Sequence, residues 1–496
     1  MTSRARLSAT QLPRLDAQLR PPIEPGQLRT RIVHLGLGAF HRAHQALYTE
    51  QAVAADGGDW GICGVTQRSP AVRDALAPQD GLYSVAVRDA DGEQLRVAGA
   101  IREVLFAREQ PDALTARIAD PAVAIVTLTV TEKAYRRDES GRGLDLRDAE
   151  VAADQADGGS RTVVGQLIAG LARRRRDHGA PLTVLSCDNL PGNGPILAGL
   201  VGEFAQRRDP DLADWISAHV RFPATMVDRI VPATTAEDRA HIAARLGLED
   251  QAAVITEPFT QWVIEDDFTG PRPAWERAGA LLTADVAPYE QMKLRMLNGS
   301  HSLIAYLGQL SGHAYVADAV AAAGIRAAAE GLMTVDVPPD LDVPDGFDLD
   351  HYRGELLARF ANPALHYRTA QVAMDGSQKL PMRLWATSAD RRAAGQTPVF
   401  AALGLAAWMR VVSARLAEDG RAIPIDDPLA AAISERLAGS EDPGAVVGAL
   451  LGMSEVAPAA LAEDPPFREL LTDLLGRLAA DGAERTAAAV AERSAA

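Results

Sequence analysis

Cysteine is nearly missing from this chain: 496 residues contain two, Cys63 and Cys187. Two thiols so distant in sequence make neither a disulfide framework nor a metal-spaced pair, so a reducing, cytoplasmic setting is expected. An excess of positive charge is missing too. Fifty Lys and Arg stand against 66 Asp and Glu, a formal net charge of −16. A surface that follows phosphate backbones needs the opposite sign, so nucleic acid is not an expected partner; the charge is read as favouring solubility. No uninterrupted apolar stretch reaches the length of a membrane span, and the N-terminus lacks the apolar run of a secretory leader, so no membrane partner is expected. Zinc-type clusters of His, Cys, Asp and Glu are also lacking, so no metal site is expected.

What is present is an ordinary globular composition, 47% hydrophobic and 23% charged, on a chain too long for one core. Residues 1–29 are polar and contain prolines, and read as an arm rather than a core element. From Arg31, short apolar or β-branched runs alternate with helical patterns. Strands are expected at Ile32–Leu35, Trp60–Val65, Ala124–Thr129, Thr183–Ser186, Ala224–Val227 and Ala253–Thr256. Such runs, each followed by turn or helix signals, mark a parallel sheet covered on both faces. The run Arg173–Arg176 closes an apolar-periodic segment before Gly179 and is read as a solvated helix end, where cations complement the dipole. After Pro288 strand signals stop and Ala/Leu-rich helical segments continue, broken by an acidic, Pro-rich connection from Asp336 to Asp345. The expected class is α/β. A doubly wound, Rossmann-type N-terminal domain over 1–285 precedes a mostly α-helical C-terminal domain over 286–496.

The first expected strand runs into Gly36-Leu37-Gly38-Ala39-Phe40-His41, then an amphipathic stretch from Arg42 to Glu50. Two glycines permit a tight turn and the approach of a pyrophosphate, and the helix N-terminus behind them supplies amide donors. His41 replaces the third glycine of the usual fingerprint. Gly36, Leu37, Gly38, Ala39 and Phe40 are therefore cofactor candidates on position more than on pattern. The second strand ends at Val65-Thr66-Gln67-Arg68-Ser69, with no acid for a ribose diol before Asp74. Arg68 is suited to stack on adenine or meet a 2′-phosphate, so NAD and NADP both stay open.

Tyr289 to His301, YEQMKLRMLNGSH, sets a lysine, an asparagine and a histidine on one apolar helix. At about 100° per residue, Lys293 and His301 lie roughly 80° apart, with Asn298 about 60° beyond. All three then face one cleft while Met292, Met296, Leu303 and Ile304 pack elsewhere. A lysine deprived of water there has its pKa pulled towards neutrality, which suits a general acid/base. The plainer alternative is a surface lysine whose stem lies over apolar neighbours. Polar residues also gather after the expected strands, at Thr127–Lys133, Ser186–Leu190, Phe222–Arg229 and Glu257–Asp267, and again at Asp375–Arg383. Open parallel sheets place their ligands at such strand ends.

On HLGLGAFHRAHQALYTE at 34–50, MKLRMLNGSHS at 292–302 and DGSQKLPMR at 375–383, the chain resembles the mannitol dehydrogenase family, the polyol-specific long-chain dehydrogenases. The resemblance runs over nearly its whole length. It implies a metal-independent, NAD(P)-dependent dehydrogenase, NAD first and NADP not excluded, with its active site in the cleft between the two domains. Carried residue by residue, it implies that Lys293 is the acid/base. It makes Asn189 and Asn298 the amides that polarise a carbonyl, and His301 a ligand of a substrate hydroxyl. Glu132 becomes a carboxylate, beside the cofactor contacts, that governs proton exchange with solvent; Asp228 and Lys379 become further polar groups of the site. The spellings TVTEKAY, WVIEDDF and MDGSQKLPMR resemble most the branch that reduces D-fructuronate to D-mannonate. The mannitol branch carries arginine where this chain has Gln371 and no basic residue at the position of Arg383. Arg383 is thus the candidate partner of a uronate carboxylate, an interdomain or surface charge being the alternative. Arg295, roughly 200° around the helix from Lys293, is expected to face away. Three departures stand out: Ala134 where glycine is usual, Pro70 after the second strand, and a Gly/Asp-rich insertion from Asp154 to Gly159. The expected partner is a small sugar acid or polyol, and the expected state a monomer or weak oligomer.

Overall fold

The computed structural model describes residues 4–138, 141, 143–344 and 346–495; Asp345, the end of the acidic connection, lies outside them. The chain divides into two compact units, Met1–Ala287 and Pro288–Ala496.

In the first unit six strands form the main sheet: Arg29–Leu35 (β1), Trp60–Thr66 (β2), Ile101–Phe106 (β3), Ile125–Leu128 (β4), Leu182–Ser186 (β5) and Val220–Arg221 (β6). They lie in the order β3-β2-β1-β4-β5-β6, and every neighbouring pair is parallel. Alternate residues of one strand enter different cores. Val33 and Leu35 join Leu114, Ile118, Leu167 and Phe204, whereas Ile32 joins Leu47, Tyr48, Trp262 and Trp275. Both faces are covered, so the strands carry continuous apolar runs instead of alternating ones. The order reverses between β1 and β4, and doubly wound sheets bind ligands at the C-terminal strand ends flanking such a reversal.

Two of the expected strands lie outside this sheet. Thr225–Asp228 pairs antiparallel with Gln261–Glu265, which pairs parallel with Leu281–Thr283. Val254–Thr256 pairs with a hairpin of Tyr83–Asp89 and Gly92–Ala98. A short apolar run carries no mark of which sheet it joins. Strand β3 lacks a continuous apolar run, because Arg102, Glu103 and Val104 in its middle are only half-buried. The N-terminal arm is also more than an arm. Leu7 is fully buried and Leu15 nearly so, in a cluster with Leu95, Val97, Ile242 and Leu246.

The arginine run ends the helix Val163–Asp177 as expected, but it is not wholly solvated. Arg173 pairs with Asp177 and Arg175 with Asp209. Arg174 is 1% exposed, and its guanidinium donates to the carbonyls of Ile118, Asp120, Val123, Ala180 and Pro181. All the donors of its fork are spent, tying the helix end to the loops that enter β4 and β5. Burial pulls its pKa down to about 10.

The second unit has no strand among its described residues. The largely buried helix Val399–Ala414 packs on Gly299–Leu310 and on Pro465–Asp481. Among the unit's described residues π-helical turns interrupt or end the helices at Lys293–Asn298, Leu332–Asp336 and Pro381–Trp385. Among the described residues no helix is long and apolar enough to cross a membrane.

Candidate active site

The turn after β1 needs glycine at its first position. Gly36 has φ +95°, and a Cβ there would sit 2.2 Å from the Thr129 carbonyl oxygen, so only glycine lets β1 and β4 approach so closely. The N–H groups of Gly36 and Leu37 both donate to the Val65 carbonyl at 2.9 Å. These two amides close the turn. Beside Gly38 the space is open: a Cβ would meet only the Gly36 oxygen, at 3.7 Å. The helix Ala39–Ala43 starts there, and its first-turn amides have no acceptor within the helix. An open space at a helix start fits a pyrophosphate.

His41 takes the place of the third glycine by lying flat on His34 of β1, with ring centroids 3.4 Å apart and planes 14° apart. Ring-on-ring spacing thus brings helix and strand together where a missing side chain usually does. His34 Nδ1 is 2.8 Å from Thr127 Oγ1, and Nε2 is 2.9 Å from Thr129 Oγ1. Thr129 donates its own proton to the Gly36 carbonyl, so Nε2 carries the imidazole proton and Nδ1 accepts. Burial pulls the His34 pKa down to about 3; burial, then repulsion from His34 and His44, pulls His41 well down too. The stack is neutral at physiological pH. Phe40 is half-buried and stacks on His44 at 5.0 Å, and Arg68 is exposed past the end of β2.

The other first-unit candidates occupy strand ends. Glu132 opens the turn after β4, next to Thr131, whose φ of +76° is rare for a side-chain-bearing residue. Asn189 is exposed two residues beyond Cys187, and Asp228 ends the strand Thr225–Asp228 with 6% exposure. Arg229 donates to the carbonyls of Ala43 and Glu257, which fastens that strand end to the dinucleotide-turn helix. Burial pulls its pKa down to about 10.

In the second unit Lys293, Asn298 and His301 are buried, with 7%, 8% and 7% exposure. An even α-helical progression, however, does not hold. The helix Ala287–Met292 passes into the π turn Lys293–Asn298 before α-helix resumes at Gly299–Leu310. A π turn closes i→i+5, one residue more than an α turn. Lys293 and Asn298, five apart, are thereby drawn towards one side of the axis, where regular α spacing would spread them roughly 140°. His301 packs against Phe360 at 4.5 Å and edge-on to Tyr367 at 5.7 Å. Met292, Met296, Leu303 and Ile304 are core residues. Arg295 pairs with Asp390 on the helix Ala386–Ala393.

Arg383 stands in the π turn Pro381–Trp385, which packs on the π turn of Lys293. Its Nη1 donates to Ser302 Oγ at 3.1 Å, and Ser302 Oγ donates to the Asn298 carbonyl at 3.1 Å. Lys379 lies in the short helix just before, Gly376–Leu380, and is half-buried, whereas Gln371 is exposed on Thr369–Ala373. Ser302 stands in the motif at 292–302, where its residue type alone marks no role. A plainer signal was available in the counts: of 50 Lys and Arg only three are lysine, Lys133, Lys293 and Lys379. A chain that uses arginine almost everywhere has a local reason for each amine it keeps.

The first unit also carries a concavity of about 700 Å³ on its outer helices, lined among others by Arg161, Arg173 and Arg208. None of the candidate residues lines it. Its arginines are held by Asp154, Asp157 and Asp177 and by the carbonyls of Asp154 and Gln155, and size alone does not seat chemistry there.

Comparison with known proteins gives the family. The mannitol dehydrogenase Rossmann domain matches residues 30–277, and the mannitol dehydrogenase C-terminal domain matches residues 285–475. An uncharacterized oxidoreductase of Escherichia coli strain K12, YeiQ, is 44% identical over 94% of this chain and 95% of its own length. The D-mannonate oxidoreductase of the same strain is 42% identical over 95% of this chain and 98% of its own. Among solved structures, the ternary complex of Pseudomonas fluorescens mannitol 2-dehydrogenase with NAD and D-mannitol has a TM-score of 0.86 and 36% identity, covering 97% of this chain and 98% of that one. The chain belongs to the mannitol dehydrogenase family and is an oxidoreductase acting on CH–OH groups.

Proposed function

We propose that this protein interconverts D-fructuronate and D-mannonate, with NAD as the hydride carrier. The observation that carries the reading is Arg383. Its guanidinium is hydrogen-bonded to Ser302, on the same helix as Asn298 and His301. A fixed cation beside the proposed substrate residues suits a carboxylate, which a uronate has and a neutral polyol lacks. The 42% identity to a D-mannonate oxidoreductase supports the same choice.

The bound nicotinamide would supply or accept the hydride; the rest falls to side chains. Reduction of a ketone builds negative charge on its oxygen, and the amides of Asn189 and Asn298 stabilise that charge more in the transition state than in the ground state. Lys293 delivers the proton to the same oxygen, and Glu132 exchanges it with solvent. His301, Asp228 and Lys379 hold hydroxyls of the substrate. For the coenzyme, Gly36 and Leu37 shape the turn, the amides from Gly38 to Phe40 hold the pyrophosphate, and Arg68 covers the adenosine side. NAD is preferred over NADP on the strength of the NAD-bound relative. The buried, unpaired Cys63 and Cys187 suit a reducing cytoplasm.

Likeness to mannitol 2-dehydrogenases sustains a second reading, the fructose/mannitol pair. One panel separates the two: D-fructuronate, D-tagaturonate and D-fructose with NADH or NADPH, and D-mannonate, D-mannitol and D-arabinitol with NAD. The expected result is kcat/KM for D-fructuronate about 100-fold or more above that for D-fructose. Clear turnover of fructose with none of the uronates overturns the reading.

A further inference from the structure

We propose that Asp188 is a positioning residue that holds the loops of Glu132, Asn189 and Asp228 in one register. Its carboxylate lies at the C-terminal end of β5 and is 7% exposed. Oδ1 accepts from the Thr131 N–H at 2.8 Å, and Oδ2 accepts from the Tyr135 O–H at 2.7 Å. Ser186 Oγ, 2.5 Å from the Tyr135 oxygen, supports that hydroxyl in turn. The loop after β4 is thus fastened on both sides of Glu132 to the residue that precedes Asn189.

The Asp188 main chain makes the third connection. Its carbonyl accepts from Asn193 Nδ2 at 3.1 Å, and the same amide donates to the Thr225 carbonyl at 2.7 Å and accepts from the Thr225 N–H at 3.0 Å. Thr225 Oγ1 closes the circuit on the Ser186 carbonyl at 2.6 Å. Thr225 begins the short strand that ends at Asp228, so the three segments that carry Glu132, Asn189 and Asp228 meet in this hub.

Two features show that the hub works against a cost. Thr131 has φ +76° and ψ 157°, a region that residues with a Cβ avoid and that persists only where surroundings over-determine it. Its N–H, held by Asp188, is the bond that over-determines it, and Glu132 is the next residue. A nearly buried carboxylate also disfavours its charged form unless donors surround it; burial raises the Asp188 pKa, and the Tyr135 and Thr131 bonds oppose that rise. Glu132 and Asn189 are themselves exposed, so the segments that carry them bear on where they point. Misplacement by about 1 Å is enough to cost on the order of 10²-fold in rate.

The inference rests on the proposed roles of Asn189 and Glu132 but not on which ketone is reduced, so activity is measured on whichever panel substrate the wild-type enzyme turns over best. Asp188→Asn keeps the shape. Its oxygen can accept from Thr131, and its NH₂ can donate to Tyr135, whose proton then turns to Ser186. Asp188→Ala loses both bonds. The expected result is kcat down about 100-fold or more in Asp188→Ala and within about 5-fold of wild type in Asp188→Asn, with NADH affinity, read by fluorescence, within about 3-fold in both. Hydrogen exchange at the Thr131 amide should be accelerated by Asp188→Ala and unchanged by Asp188→Asn, a readout independent of turnover. Tyr135→Phe, expected to lose about 10-fold in kcat, serves if Asp188→Ala does not fold. Full activity in Asp188→Ala, equal damage by Asp188→Asn in a folded protein, or an unaltered Thr131 amide overturns the proposal. A wild type that prefers fructose would sink the substrate reading and leave this one standing.

Discussion

The two units hold their proposed site residues by different means. In the first, Glu132, Asn189 and Asp228 sit on exposed or terminal positions of three separate segments, and hydrogen bonds radiating from Asp188, Asn193 and Thr225 fix those segments. In the second, Lys293, Asn298 and His301 share one continuous helix, and a π turn sets their phase. One arrangement depends on a few polar atoms and is vulnerable to single substitutions far from any substrate. The other depends on backbone winding and tolerates the loss of a side chain without moving its neighbours.

The largest expected effect comes from the helix. Lys293→Ala should lower kcat by about 10³-fold or more while NADH affinity, followed by fluorescence titration, stays near wild type. Retention of near wild-type turnover refutes the acid/base role. Next come the two amides, one from each unit. Asn189→Ala and Asn298→Ala should each cost on the order of 10² in kcat. Thermal unfolding should distinguish them: the exposed Asn189 is expected to leave Tm unchanged, whereas the 8%-exposed Asn298 lowers it. Equal Tm losses would blur the contrast between the units. Arg383→Ala is a smaller, selective change, raising KM for D-fructuronate by about 10- to 100-fold with little effect on any polyol activity. Comparable losses on uronate and polyol would make Arg383 a general structural charge.

The smallest effect on turnover is expected at Asp336, the second unit's counterpart of Asp188. It is fully buried at the end of a π turn, and its Oδ2 accepts from the Phe400 and Ala401 N–H groups at 2.8 Å. Burial raises its pKa from 3.8 to about 6 despite those bonds. A raised carboxyl pKa means the folded state binds the proton more tightly than the unfolded chain does. The stability it contributes is therefore full below about pH 4 and lost as pH rises through about 6. Asp336→Asn keeps both acceptor bonds without the charge. It should raise Tm at pH 8 by about 3 °C or more and by less at pH 5, with kcat unchanged. A lower Tm at pH 8 would show that the charge itself is needed.

Much of the scaffold was legible because its signals are local. The runs that became β1, β2, β4 and β5 are apolar and short, and each precedes a turn; the Gly36 turn and the helical second half follow from equally local patterns. What escaped was decided by partners distant in sequence. The sheet joined by Thr225–Asp228 depends on Gln261–Glu265, the burial of Leu7 on a cluster near Leu246, and the saturation of Arg174 on carbonyls from two loops. His41 looked like a defect in a glycine motif until His34, seven residues earlier in the chain, was found beneath it. The candidate residues of the helix could be named from the motif, but their phase could not, because nothing in residue type announces a π turn.

That turn has a consequence for how the protein can be altered. A π turn holds one residue beyond the regular count, so what it contributes is stored as length and not as residue identity. A complete substitution scan leaves the count untouched and would pass over it. Winding the same residues between Lys293 and Asn298 as a regular helix, with none removed, would rotate the residues beyond them by roughly 100°. An unremarkable, even sturdier, helix would then present His301 in the wrong direction.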